Sequence, residues 1–376
     1  MEFGWDDTQS KLYDRVLSFA RDRLSTAPTP GASIDNLRLC GDFGLLGLCV
    51  DRRYGGMGLD ALSSARAVEG FGRGASDMGL VFSVCAHLFA CVSAIQDFAD
   101  DRLKQEVLPR LASGEWLGAN AITEMDAGSD VFALKTRAVR EGDEYVIDGA
   151  KSYVTNAPAA DLFLVYALTD PAHGYLGVSA FAVPRTSPGI VVGPPFDKIG
   201  LRSTPSAELR LEKCRVPVSN IVGERGQGAL IFRASMIWER ACLFAAYVGM
   251  MEEQLEKTIL FAKERRQFGK PIGKHQAVAH RIADMKLRLE SARLLVYRAC
   301  WLKDRGTSSA LESSLAKLAV SEAAIQSGID AIWVHGGAGV KTETGIAQGL
   351  LDALPSAIFS GTSDIQRDLI ARELLL

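Results

Sequence analysis

Residues 118–130 read Gly-Ala-Asn-Ala-Ile-Thr-Glu-Met-Asp-Ala-Gly-Ser-Asp, and residues 151–158 read Lys-Ser-Tyr-Val-Thr-Asn-Ala-Pro. Between them, residues 134–148 alternate apolar and polar side chains with the period of a β-strand. We therefore expect antiparallel sheet here, entered and left through two loops. The loops combine small residues with hydroxyls such as those of Thr123 and Ser129, which suit the edge of a flat polar heterocycle. Ordinary turns have the same composition, so the pattern alone leaves both interpretations open.

The rest of the chain divides into three parts around this stretch. Residues 1–117 show helical periodicity and include a nearly apolar run, Met78–Phe98, that we expect to be buried. Residues 118–222 contain short strand-like runs broken by Gly and Pro, as in a small antiparallel barrel or sandwich. Residues 223–376 return to long helices, predicted at Ala229–Arg265, Gln276–Arg305, Ser308–His335 and Asp364–Leu376. The prediction is an α+β multidomain protein with an N-terminal all-α domain, a middle antiparallel β domain and a C-terminal four-helix bundle.

Composition excludes several classes of function. The chain has 376 residues, 48% of them hydrophobic, which is enough for two or three domains with a large core. Its net charge of −3 provides no basic field for nucleic acid or an anionic membrane. The N-terminus lacks the basic flank and apolar core of a signal peptide, and we expect no apolar run to reach membrane-spanning length. We expect a cytoplasmic protein that binds neither nucleic acid nor membrane.

Cysteine and histidine spacing gives no sign of a disulfide framework or a metal site. The seven cysteines stand singly among apolar residues, and the five histidines form no His-Glu-x-x-His pair. The cysteines are therefore interpreted as small buried hydrophobic residues. The sequence also lacks a phosphate-loop Lys motif and a Gly-x-Ser-x-Gly elbow.

Eight short motifs occur along the chain in one order. They are Tyr-Gly-Gly-Met-Gly-Leu (54–59), Ile-Thr-Glu-Met-Asp-Ala-Gly-Ser-Asp (122–130), Lys-Ser-Tyr-Val-Thr-Asn (151–156), Gly-Leu-Arg-Ser (200–203), Arg-Arg-Gln-Phe-Gly-Lys-Pro-Ile (265–272), His-Gln-Ala (275–277), His-Gly-Gly-Ala-Gly (335–339) and Gly-Thr-Ser-Asp-Ile-Gln-Arg (361–367). Through them the whole chain resembles the acyl-CoA dehydrogenase flavoprotein family. Each motif is weak evidence alone, but eight in the right order make a chance match very improbable.

The resemblance implies noncovalent FAD between the sheet and the C-terminal bundle, in a homotetramer. The positions that match the family's flavin contacts are Ile122, Thr123, Gly128, Ser129, Tyr153, Thr155, Gly336, Gly337, Thr362 and Asp364, with Arg265, Phe268 and Gln276 reaching the cofactor of a neighbouring subunit. A guanidinium can bind a pyrophosphate through two hydrogen bonds, which would give Arg265 a role at the cofactor. The alternative is that Arg265 is a solvated cation at a helix end. The chain departs from the family at Trp333, where many members have Gln, so that contact is in doubt.

The catalytic base is the second departure. Most members of the family place a Glu directly before Gly-Thr-Ser, but this chain has Ser360, and serine cannot remove an acidified C–H proton. Glu239 lies in an apolar helix at the position where the isovaleryl-CoA dehydrogenase branch carries its Glu. Burial would raise the pKa of this carboxyl toward useful basicity, so Glu239 is predicted to be the base. The alternative is a structural ion pair, with Arg240 or between helices.

Four further stretches narrow the resemblance. They are Ser-Val-Cys-Ala-His-Leu-Phe-Ala-Cys (83–91), Ser-Met-Ile-Trp-Glu-Arg (235–240), Tyr-Arg-Ala-Cys-Trp (297–301) and Ile-Phe-Ser-Gly-Thr (358–362). They look like the pyrrole-forming prolyl-carrier-protein dehydrogenases of natural-product biosynthesis. The implied substrate is an L-prolyl thioester on the phosphopantetheine arm of a peptidyl carrier protein, oxidised twice to the pyrrole-2-carboxyl thioester. The implied electron acceptor is an electron-transfer flavoprotein or oxygen.

Secondary expectations concern the size of the pocket. Trp238, Phe244 and Tyr247 are candidates to shorten it for a five-membered ring, and the alternative is that they fill the core. His87 and Cys91, four residues apart, are candidates to approach it from the buried helix.

Three rival functions stay open at this point. They are dehydrogenation of a short branched acyl-CoA, oxidation of another carrier-bound acyl group, and a non-catalytic or DNA-binding flavoprotein. Activity on each thioester, and reduction of FAD by any of them, would distinguish these functions.

Overall fold

The N-terminal part of the protein is helical, as predicted. A computed structural model describes residues 4–24, 32–307 and 309–376. The helices before the sheet are α1 (Asp7–Arg23), α2 (Ala32–Phe43), α3 (Ala61–Gly74), α4 (Met78–Ala86), α5 (Ser93–Phe98) and α6 (Asp101–Ser113). The side chains of Asp6, Asp60 and Asp100 cap α1, α3 and α6 by accepting hydrogen bonds from backbone N–H groups in the first turns.

A π-helical turn, His87–Val92, joins α4 to α5. Among the described residues, the continuous run Met78–Phe98 is long and apolar enough to cross a membrane, so the expectation that no apolar run reaches that length is wrong. An 18-residue stretch of this run is wholly buried inside the fold, which confirms the prediction of a buried helix. Core helices of globular proteins meet the same criterion of length and composition.

The middle part is a twisted sheet. Its strands are β1 (Gly118–Ala121), β2 (Arg137–Glu141), β3 (Glu144–Thr155), β4 (Leu162–Leu168), β5 (Val178–Pro184), β6 (Ile190–Val192), β7 (Ser206–Pro217) and β8 (Ile221–Val222). The order is β6-β7-β3-β2-β4-β5-β8, with β1 beside β4. Antiparallel pairs predominate, as predicted, but β4 runs parallel to β1 and to β2.

One local prediction for this sheet is confirmed and one is wrong. Residues 134–148 lie in antiparallel sheet, as predicted, but the prediction did not locate the hairpin turn, where Gly142 takes a positive φ of 63° and Glu141 pairs with Glu144. The stretch predicted as a loop from Lys151 is the end of β3, which continues to Thr155 and pairs with β7.

Strand β4 shows where the core lies. Leu162, Leu164 and Tyr166 pack against the N-terminal helices, while Phe163 and Val165 face the interior of the sheet domain. Successive side chains of a strand point to opposite faces, so a strand buried on both sides reads as a continuous apolar run.

The C-terminal part is again helical. It contains α7 (Gly228–Trp238), α8 (Phe244–Glu264), α9 (Gln276–Asp304), α10 (Ala310–His335), α11 (Ile346–Ala353) and α12 (Ser363–Glu373), with a small hairpin of β9 (Arg266–Gln267) and β10 (Lys270–Pro271) before α9. Helix α10 packs against α8, α9 and α12. The predicted start of its helix, Ser308, lies outside the described residues. The helix predicted at 229–265 is interrupted by a π-helical turn, Glu239–Leu243, and α11 was not predicted. The predicted domain limits, 1–117, 118–222 and 223–376, remain predictions.

All seven cysteines are unpaired and buried, as expected for small hydrophobic residues. Within the described part of the chain, no cluster of three or more His, Cys, Asp or Glu side chains has the arrangement of a metal site.

Candidate active site

A cavity of about 450 Å³ lies where the sheet meets the helices on either side. Its walls come from β1 and the loop after it, the end of β3, α4 with its π-helical turn, α7, and the loop before α12. A second cavity of about 700 Å³ shares several of these wall residues, which are Ser129, Val131, Phe232, Met236, Arg240 and Ile365. The two cavities therefore lie side by side.

Seven of the predicted cofactor residues line the first cavity. They are Ile122, Thr123, Gly128, Ser129, Tyr153, Thr155 and Thr362. The two stretches that carry most of them are joined by a hydrogen bond of 2.8 Å from the N–H of Ser152 to the carbonyl of Thr123. Asn120 adds a buried side-chain carbonyl oxygen that has no hydrogen-bond partner in the structure.

A buried ion pair, missed by sequence reasoning, fixes these two stretches together. Lys151 is completely buried, and its Nζ donates to Oε1 of Glu124 at 2.8 Å and to the carbonyl of Ile122 at 3.2 Å. Glu124 also accepts hydrogen bonds from the backbone N–H groups of Lys135 and Thr136 and from the Thr136 hydroxyl. Burial acts to raise the pKa of Glu124, but the Lys151 charge and these hydrogen bonds hold it below its usual value. The opposite charges of Glu124 and Lys151, one in each motif, were the sequence signal that could have predicted this pair.

The other predicted cofactor residues lie outside this cavity. They are Arg265, Phe268, Gln276, Gly336, Gly337 and Asp364. Phe268 is 93% exposed and meets the ring of His275 edge-on at 5.8 Å. Asp364 pairs with Arg367 at 3.3 Å in the first turn of α12. Their role in cofactor binding stays a prediction.

Glu239 lines the cavity with only 7% of its surface exposed. It is the first residue of the second π-helical turn, a type of irregularity that is often found at functional sites. Burial raises the pKa of Glu239, and a hydrogen bond from Ser360 with the charges of Arg240 and Lys317 partly opposes that rise. The result is a carboxylate with increased basicity facing enclosed space.

Ser360 and Glu239 are in direct contact, although they are far apart in sequence. The Ser360 hydroxyl donates to Oε1 of Glu239. The backbone carbonyl of Ser360 accepts from Nε of Arg240 at 2.9 Å and from Nε2 of the buried Gln366 at 3.1 Å. Nε of Arg240 is thus directed at the loop, and the Glu239 carboxylate accepts its hydrogen bond from Ser360 rather than from Arg240.

Apolar residues that were not predicted for the site form part of its wall, including Phe82, Ala86, Ala90, Met236 and Phe359. The rings of Phe82 and Phe359 lie 4.6 Å apart. Trp238, Phe244 and Tyr247 do not line the cavity, so the expectation that they shorten it directly is wrong. Phe244 and Tyr247 pack behind Phe359, at 5.6 and 6.2 Å between ring centroids.

His87 and Cys91 also lie outside the cavity wall. His87 is completely buried and hydrogen-bonded to the backbone of Leu46, Leu111 and Gly118. Its neighbours Ala86 and Ala90 face the cavity instead. The helix presents small side chains to the site and turns the histidine into the core.

Comparisons with known proteins agree along the whole chain. Residues 6–115, 119–214 and 226–375 match the N-terminal, middle and C-terminal domains of acyl-CoA dehydrogenase. An L-prolyl-[peptidyl-carrier protein] dehydrogenase of Pseudomonas fluorescens is 53% identical over 380 residues, covering 100% of both chains. A protein of the same name from Serratia sp. is 43% identical, covering 100% of this chain and 98% of its own. The solved structure of PigA with FAD and proline is 42% identical, covers 100% of both chains and superposes with a TM-score of 0.97.

Proposed function

Because the chain belongs to the acyl-CoA dehydrogenase family, we propose that it is an FAD-dependent dehydrogenase of an L-prolyl thioester carried by a peptidyl carrier protein. The relatives from Pseudomonas and Serratia support the substrate. The observation that carries the proposal is the buried Glu239 carboxylate on the cavity wall, in contact with Ser360. Ser360 stands where most members of the family have their catalytic Glu, so the base is supplied instead from the π-helical turn that follows α7.

The cavity suits FAD in the chemistry of its wall. Hydroxyls of Thr123, Ser129, Thr155 and Thr362 line it, and the unpartnered oxygen of Asn120 is available to a ligand N–H. A Cβ at Gly128 would meet nothing within 4 Å, so the backbone there leaves room for a ligand to approach. When bound, FAD supplies the two-electron acceptor for the hydride that leaves the β carbon of the substrate.

The residues of this chain then perform the proton chemistry. Glu239 takes the proton α to the thioester carbonyl, and its position in an apolar wall keeps water from competing for that role. Two such oxidations of the prolyl group remove four hydrogen atoms and yield the pyrrole-2-carboxyl thioester. Phe82 and Phe359 provide an apolar surface for the five-membered ring.

The partners belong to the same proposal. The protein works in the cytoplasm as a homotetramer and passes its electrons to an electron-transfer flavoprotein or to oxygen. Arg265, Phe268 and Gln276 complete the cofactor site of a neighbouring subunit. Their position outside the cavity of their own chain and the exposure of Phe268 support this arrangement.

An anaerobic half-reaction tests the proposal. Mixed with prolyl-carrier protein, the holoenzyme should lose its oxidised-flavin absorbance, and the acyl group should lose the mass of two or four hydrogen atoms. Isovaleryl-CoA and isobutyryl-CoA are the competing substrates, and faster bleaching by either would replace the proposed substrate.

Glu239→Gln tests the base. The variant should bleach flavin about 10²- to 10⁴-fold more slowly, the usual contribution of a general base. Glu264→Gln, an exposed glutamate on α8, is the control. A Glu239→Gln enzyme that reacts at the wild-type rate would remove Glu239 from the mechanism.

A further inference from the structure

The loop before α12 holds an unusual backbone conformation at Ser360. Its φ is 57°, in the left-handed region that residues other than glycine seldom adopt, and Gly361 follows with a φ of 90°. Residues in such conformations persist only where the surrounding structure determines them, and they concentrate at functional sites. Gly361 adopts a positive φ without steric cost, whereas the side chain of Ser360 makes the same backbone conformation strained.

Two side chains, the partly buried Arg240 and the buried Gln366, keep the loop in this conformation. Nε of Arg240 and Nε2 of Gln366 both donate to the Ser360 carbonyl, at 2.9 and 3.1 Å. Gln366 donates to the Gly361 carbonyl as well, also at 3.1 Å, and it is completely buried. The contacts come from α12 on one side and from the π-helical turn on the other, so the loop is held from both.

The strained conformation has one visible result for the site. It brings the Ser360 hydroxyl to Oε1 of Glu239, and both residues line the cavity. A carboxylate has two oxygens, and a hydrogen bond to one of them restricts the rotation of the group. With Oε1 engaged, Oε2 is the oxygen left for a substrate proton.

We propose that Ser360 is a positioning residue for Glu239, whose hydroxyl holds the carboxylate in the orientation required to take the substrate α proton. The inference rests on the proposed function, since it needs Glu239 to be the base. Ser360 thus keeps a part in the reaction at a position that has lost the family's carboxylate. The hydrogen bond also favours the charged form, so it lowers the pKa of Glu239 against the effect of burial.

Two variants separate this role from that of a turn residue. Ser360→Ala removes the hydroxyl and keeps a side chain in the strained conformation. Ser360→Gly removes the hydroxyl and also relieves the strain. If Ser360 serves only the turn, Ser360→Gly should be at least as active as the wild type, because it is the better turn residue.

The measurement is the rate of anaerobic flavin bleaching by prolyl-carrier protein as a function of pH, together with the Tm of each holoenzyme. We expect both variants to react about ten- to a hundredfold more slowly, the equivalent of a hydrogen bond to a charged group. The acid limb of the pH profile should move to higher pH in both, because the hydrogen bond that favours the carboxylate is lost. Tm should be higher in Ser360→Gly than in Ser360→Ala, although the rates fall alike.

The control is Ser356→Ala, which removes another buried hydroxyl from the same segment, one that donates to the Ala353 carbonyl at 2.6 Å. It should leave the pH profile in place. Wild-type rates and an unmoved acid limb in Ser360→Gly would overturn the inference. Failure of the proposed function is recognised separately, by an unimpaired Glu239→Gln enzyme whatever the Ser360 variants do.

Discussion

Replacing His87 by asparagine should make the protein less sensitive to acid. Nδ1 of the wholly buried His87 accepts a hydrogen bond from the Gly118 N–H at 2.8 Å, so the ring proton sits on Nε2. Nε2 lies 3.3 and 3.2 Å from the carbonyls of Leu46 and Leu111. A second proton, on Nδ1, would face an N–H group instead of an acceptor. Burial lowers the pKa of His87 to about 4 from its ordinary value of 6.5.

The size of the effect follows from linkage. Below about pH 6.5 the unfolded chain binds a proton that the folded protein refuses, so the free energy of unfolding falls until about pH 4, where both states bind it. The pKa difference of about 2.5 units corresponds to about 3.4 kcal/mol. That is a large part of the stability of an ordinary domain.

The assay is urea denaturation of wild type and His87→Asn between about pH 7.5 and pH 4. The smaller side chain leaves a gap in the core, so the variant should be less stable at neutral pH. The difference between the two proteins should then shrink as the pH falls. Only this difference is informative, because burial raises the pKa of Glu69 and Asp352 to about 6, and these groups favour the fold as they gain protons. His280→Asn, at an exposed site, controls for loss of an imidazole. Parallel curves for wild type and His87→Asn would refute the argument.

Two structural variants give further tests. Lys151→Met leaves the Glu124 carboxylate without its buried partner and should cost about 3–5 kcal/mol, seen as a lower Tm that Glu124→Gln partly restores in the double variant. An unchanged Tm would show that the pair contributes nothing. Gly72→Ala should lower Tm by the same measurement, because its Cβ would lie 2.1 Å from the Ala246 carbonyl and force α3 away from α8, at a cost of about 1–3 kcal/mol. Equal stability would mean that the two helices can separate at this point without loss.

The order of helices and strands was predictable because it depends on local periodicity. The middle part was predicted to contain short strand-like runs, and its apolar run 162–168 is a strand in the structure. Within the antiparallel sheet predicted at 134–148, the position of the turn was not predicted. Gly142-Asp143, between two alternating runs, was the available turn signal. Strand β3 ran past its predicted end because β7 offered it a partner, and pairing partners are not visible in a single stretch.

The two π-helical turns had no signal in the sequence. Each adds a residue to a turn of a helix that is apolar almost throughout, so no polar face marks the change in rotation. Spacing by four residues put His87 and Cys91 together on a face, but could not say which face meets the cavity. The alanines at 86 and 90 have the same spacing and do line it. In a uniformly apolar helix, the helical period predicts which side chains share a face. It does not predict which of those faces meets the cavity.

The exchange of carboxylate and serine shows what the reaction requires of the fold. The sequence showed a serine at position 360, where most of the family has an acid, and a glutamate at position 239 in an apolar setting, but the two positions are 121 residues apart. In the structure the two side chains touch at the same part of the cavity wall. A base on either element therefore reaches the same volume, and its placement in that volume is the physical requirement. Under the proposed function, a fold that brings the π-helical turn after α7 against the loop before α12 lets either element supply the base, and the role we propose for Ser360 is to hold the Glu239 carboxylate.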